Sequence, residues 1–164
     1  MGSLSLSISA AAFLVSIISF YYSRRAWNES NRPLVTARVS SLGMGGNAAI
    51  PLSIVVENTG NRPAKNIRLS VDKAKLNSSL LVNESDSLRR QIERCFSDEG
   101  FIPVIANGRQ VSNSFGLLCE DGPTWKGDRL EIQVSYQDLD DRSFKHTIPL
   151  KIGEDAGFAS GFWT

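Results

Sequence analysis

The sequence predicts a mainly β chain: an antiparallel two-sheet β-sandwich of six to seven strands with one short inserted helix, preceded by a transmembrane helix. Three observations predict it. Residues 4–22 are apolar or small, uncharged, and free of Pro and Gly. From residue 34 onward, apolar and polar residues alternate in short segments separated by Gly, Asn and Pro. One segment, residues 85–96, changes to helical spacing. A chain of 164 residues holds one domain of ordinary size and an appendage.

The N-terminal run comes first. As a helix, its 19 residues rise roughly 28 Å, against a hydrocarbon thickness of about 30 Å. A cleaved signal peptide wants a basic start, whereas the first basic side chain is Arg24, after the run. An interfacial helix wants Lys or Arg on one face, and this run has neither. Gly2 invites myristoylation, but Leu6 stands where that signal needs Ser or Thr. The flank carries Arg24, Arg25 and Arg32, and positive charge stays cytoplasmic. The expected topology is therefore single-pass in the cell inner membrane, with the C-terminal domain cytoplasmic. Tyr21, Tyr22, Arg24, Arg25 and Trp27 are the expected membrane-interface residues.

Within this run Ser5, Ser9, Ala12, Ser16, Ser19 and Ser23 follow steps of 4, 3, 4, 3 and 4, which places six small residues on one helical face. Small residues let helices approach closely, and hydroxyls bond across the contact. The stripe is therefore a candidate contact with another transmembrane helix, of a second copy or of a different protein. The competing reading has each Ser bonding back to its own helix. The strongly apolar residues supply only about −4 kcal/mol of insertion drive, so a partner helix would help to hold such an anchor.

Residues 23–33 read as a polar juxtamembrane linker closed by Pro33. Residues 34–152 read as the β domain. Val35, Ala37 and Val39 alternate with polar residues, as do Leu52, Ile54 and Val56, then Ile67, Leu69 and Val71. Val111, Asn113 and Phe115 form a weaker set. Leu130, Ile132, Val134 and Tyr136 alternate cleanly, and Phe144, Ile148, Leu150 and Ile152 share one face with His146 between them. Turns are signalled by Gly43 to Asn47, Asn58 to Ala64, Asn107-Gly108 and Gln137 to Asp141. Polar-out alternation suits antiparallel sheets with one solvated face. The helical segment 85–96 carries Leu88, Ile92, Cys95 and Phe96 at helical spacing, and residues 77–87 before it read as a loop.

Three stretches resemble a known family. Val55 to Ile67 follows an N-x-G-x-x-P-A pattern through Asn58, Gly60, Pro63 and Ala64; Ile102 to Gly108 precedes a strand; Val134 to Asp138 reads V-x-Y-x-D. Together they resemble immunoglobulin-like bacterial β-sandwich domains of the CARDB-like kind, behind one N-terminal helix, in uncharacterised small membrane proteins. The resemblance implies an immunoglobulin-like sandwich over roughly residues 34–152 and says little about activity.

No catalytic, cofactor or metal set is assembled by the sequence. His146 is the only histidine, and on a strand's inward face it reads as structural. Asp138, Asp140 and Asp141 lack the Gly and distal Glu of a calcium loop. Gly43 to Gly46 has no following Lys-Ser/Thr. Cys95 and Cys119 belong to no ligand pattern, and read as two buried thiols. Residues 33–164 hold 15 Lys and Arg against 16 Asp and Glu, so nucleic acid is not an expected partner. Arg89, Arg90 and Arg94 read as a solvated helix face or as a contact for acidic groups. The tail 153–164 sets Phe158, Phe162 and Trp163 among small residues, as a segment that docks on a partner or on its own domain. The expectation is a membrane-anchored, non-enzymatic accessory or scaffold subunit of a membrane complex, with protein partners. The alternative is an outward-facing envelope binding or adhesion module, for which a Cys95–Cys119 disulfide would speak.

Overall fold

A computed structural model describes residues 2–41, 50–81, 86–118, 124–126 and 129–152. The chain divides into two compact units, Met1–Arg32 and Pro33–Thr164. The tail 153–164, with Phe158, Phe162 and Trp163, lies outside the described residues, as do Cys119 and the Gly43 to Asn47 turn.

The first unit is a single helix, α1 (Gly2–Ser30). No Pro or Gly interrupts residues 3–30, so nothing breaks the backbone ladder. Arg25 Nε meets Glu29 Oε1 at 3.0 Å one turn on. The backbone N–H of Asn31 and its side-chain amide both donate to Trp27 O at 2.9 Å, closing the last turn before Pro33 stops the helix. α1 thus runs on through residues 23–30 of the expected linker. The expected transmembrane span over 4–22 is corrected: among the described residues, no helix is long and apolar enough to cross a membrane. The physical reason lies in composition: Ser9, Ser16 and Ser19 dilute the apolar residues from Ile8 to Tyr22, and Arg24 and Arg25 follow at once.

The second unit is mainly β. Its strands are β1 (Val35–Ser41), β2 (Ile50–Asn58), β3 (Ala64–Val71), β4 (Ile102–Ile105), β5 (Gln110–Leu118), β6 (Arg129–Gln137) and β7 (Ser143–Lys151). They form two antiparallel sheets, ordered β1-β2-β5 and β4-β3-β6-β7. The alternation read from the sequence sets which face is buried. Val35, Ala37 and Val39 of β1 and Leu130, Ile132, Val134 and Tyr136 of β6 all point into one apolar cluster shared by the two sheets. The last hairpin keeps perfect register, from Arg129 opposite Lys151 to Gln137 opposite Ser143.

Two helices lie between β3 and β4 where one was expected. α2 (Lys73–Ser79) falls partly in the segment expected as a loop. The Asp72 side chain caps it by accepting from Ala74 N at 2.8 Å, and Leu76 is its single buried anchor. α3 (Asp86–Cys95) matches the segment with helical spacing and buries Ile92 and Cys95. A short 3-10 turn, Asp98–Gly100, leads into β4. Phe115 of β5 anchors this corner. It stacks on Trp125 at 4.6 Å and meets Phe96 edge-on at 6.0 Å.

Candidate functional site

The largest concavity among the described cavities is a groove of about 1000 Å³ on the β unit. Its floor is the polar outer face of the second sheet. Period-two alternation puts Arg68 and Ser70 of β3, Gln133 and Ser135 of β6, and Lys145 of β7 on that face. The strand registers bring Arg68 opposite Ser135 and Ser135 opposite Lys145, so these three form one cross-strand row. One wall comes from α2, through Lys73 and Asn77; the other comes from α3 and the 3-10 turn, through Arg90, Arg94 and Asp98. Half-buried Phe96 adds apolar surface, and the buried Leu76 lies beneath.

The groove's charges are organised. Five cations and three carboxylates line it. Each carboxylate is engaged by an arginine: Asp98 by Arg68, Glu99 by Arg94 at 3.1 Å, and Glu93 by Arg89 at 3.2 Å. Arg89 also donates to Asn77 Oδ1 at 2.7 Å, which ties α3 to α2. The Arg68 guanidinium lies over the Phe101 ring at 5.1 Å, a cation–π contact that holds it at the rim. Lys73 and Lys145 are exposed and meet no carboxylate among the described residues. Of the arginines read as a cluster in the sequence, Arg90 and Arg94 line the groove while Arg89 is spent on structure.

The remaining polar candidates are structural. Asp138 is fully buried, and its carboxylate accepts from Asp140 N, Arg142 N and Arg142 Nε at 2.8, 3.0 and 2.7 Å. Asp140 and Asp141 are held by Arg62 and Lys65 at 2.7 and 2.8 Å. The acidic turn is therefore neutralised by its own chain. Its hydrogen bond to Arg62 holds the Asp140 carboxyl below the usual carboxylate range. His146 sits edge-on to Tyr136 at 5.7 Å, facing Val134 across the hairpin. Cys95 is a free, buried thiol whose pKa is pushed up by burial, which leaves it little nucleophilic character.

Asn58 of the N-x-G-x-x-P-A stretch is a fully buried knot. Its amide donates to Arg62 O at 2.7 Å and Ile105 O at 3.1 Å. Its carbonyl accepts from Leu34 N at 3.2 Å and Gly60 N at 3.1 Å. The motif thereby ties the β2–β3 turn to the ends of β1 and β4. This is a role in folding, with no reacting group in reach.

On α1 the helix is continuous through Ser5, Ser9, Ala12, Ser16, Ser19 and Ser23. Ser16 Oγ bonds back to Ala12 O at 2.9 Å, inside its own helix. Tyr21 and Tyr22 pack edge-on at 5.9 Å, and Trp27 is exposed. A family model described as a domain of unknown function, DUF8453, matches residues 2–154. The chain belongs to this family. The match covers α1 and all seven strands within one DUF8453 domain. It overturns the expected assignment to CARDB-like domains behind a transmembrane helix: the residues behind that resemblance serve the Asn58 knot, its turn and the buried face of β6, which unrelated β folds need for the same backbone reasons. No curated protein matches the DUF8453 chain. Sequence reasoning missed the groove, because its floor and walls are assembled from six elements and no short window contains more than two of them.

Proposed function

We propose that the protein is a non-enzymatic accessory or scaffold subunit of a membrane-associated protein complex, and that α1 is the element through which it joins its partner. The fold is read, more finely, as an immunoglobulin-like sandwich whose body presents further contact surface. One observation carries the reading. Ten large apolar or aromatic side chains of α1, from Ile8 to Trp27, stand 50–67% exposed. They cover every part of the helix surface except the small-residue stripe, and so wide an apolar surface is stable in water only when something covers it. The non-enzymatic part of the reading is supported by the site chemistry: Asp138, Cys95 and His146 are each occupied in holding the fold.

The test is crosslinking in intact cells from a photoreactive residue at Ile17 or Phe20. The expected result is a discrete protein adduct of one mass, lost when Phe13, Leu14 and Ile18 are replaced together by Gln. Adducts to lipid alone, or none, would remove the partner-subunit reading.

A further inference from the structure

We infer that the groove over the outer face of the second sheet binds an extended, acidic peptide segment of a partner protein, in which carboxylates alternate with apolar side chains. This rests on the contact role proposed above and specifies the chemistry of one contact surface on the β unit. The charge of the groove carries the argument. The described chain is almost neutral, yet the lining has five cations against three carboxylates. Those carboxylates are already engaged by arginines, Asp98, Glu99 and Glu93 alike, so they do not repel an incoming anion at full strength. Lys73 and Lys145 then set the field at two separated points.

Those points belong to different elements: Lys145 lies on β7 in the cross-strand row of Arg68, and Lys73 opens α2 just beyond the end of β3. Exposed Arg90 and Arg94, one helical turn apart on α3, line the same groove. Ser70, Gln133 and Ser135 offer side-chain donors and acceptors to a peptide backbone, since the floor strands have already paired their own. Half-buried Phe96 gives an apolar side chain a place to rest. A small inorganic anion would use the lysines and leave that apolar surface idle. The volume of about 1000 Å³ is at the upper limit of small-molecule pockets and suits a short peptide.

The test is fluorescence anisotropy with the full chain and a labelled eight-residue peptide of alternating Glu and Leu, beside a Lys–Leu counterpart. The expected result is saturable binding of the acidic peptide only, weakened several-fold by a rise from 50 to 500 mM salt, as exposed charge pairs require (both concentrations are of the order that spans the screening range). Lys73→Glu with Lys145→Glu, both on exposed positions, should cost at least tenfold in affinity while leaving the thermal melt unchanged. Three results overturn the proposal: no binding; equal binding by the double variant; or displacement of the peptide by millimolar inorganic phosphate, which would mark a simple anion site. Binding that emerges only after deletion of residues 153–164 would transfer the groove to the chain's own tail and equally overturn a partner peptide. None of these outcomes touches the crosslinking from α1, so the two proposals fail separately.

Discussion

Asp140 illustrates how a single charged residue couples the fold to pH. Its hydrogen bond to Arg62 lowers its folded-state pKa, and the nearby Arg142 and Lys65 add to this. A carboxyl whose pKa is lower folded than unfolded stabilises the fold above its unfolded pKa of about 4 and loses that contribution as pH falls through the folded value. Glu131 behaves alike through Lys75. Stability should therefore fall as pH drops below about 4. Arg62→Met should flatten part of that acid limb in melts recorded across the range, and an unchanged acid limb would dismiss the Arg62–Asp140 pair as a contributor. The pair is solvent-exposed on the Asp140 side, so the effect is small. Asn58 shows what was legible at this scale. Its turn was visible in the N-x-G-x-x-P-A spacing, but its four hydrogen bonds reach Leu34 and Ile105, far away in sequence, and no local pattern reports them.

At the scale of elements, strands with clean alternation were legible and short elements with one anchor were not. β6 shows four apolar residues at period two, and all four are buried. α2 has one apolar residue on its buried side, Leu76, too few to display a period. β5 read weakly because it is bulged. Leu52 of β2 pairs with Gly116 and Ser53 with Ser114, which leaves Phe115 as the extra residue. The bulge turns Phe115 fully into the core, where Trp125 Nε1 donates to its carbonyl at 2.8 Å. Gly116 has φ +117°, and an added Cβ would lie 2.9 Å from both Thr124 and Trp125. Gly116→Ala therefore combines backbone strain with a clash and should cost about 2–4 kcal/mol, read as a lowered urea midpoint with little change in slope. An undiminished midpoint would mean that this corner yields easily.

For the whole molecule, every buried hydrophobic residue described lies between Val35 and Ile152. The core thus belongs to one of the two units, and residues 33–164 should fold without α1. Expressed alone, this segment should melt in one cooperative transition at the temperature of the full chain's β unit, followed by far-UV circular dichroism. A molten or aggregated product would show that α1 supports the core. The two-sheet architecture was legible because strand alternation reports burial directly. The membrane span was misread because the length and apolar content of residues 4–22 outweighed the serines within the run and the arginines that follow at once. The groove was illegible because charge on an exposed sheet face has no period of its own; strand register alone decides which cations become neighbours.

The start of the β unit has a mechanical consequence. Pro33 O accepts from the buried Tyr136 hydroxyl at 3.3 Å, Leu34 O accepts from Thr59 N at 2.9 Å, and Leu34 N donates to Asn58. Any force passed down α1 arrives at this point and meets three bonds to two different segments, the β2–β3 turn and β6, before it reaches the first rung of β1. Such an arrangement is a strain relief, as on a cable where it joins a housing. A partner that tugs on the helix loads the body as a whole, and β1 is not peeled away one hydrogen bond at a time.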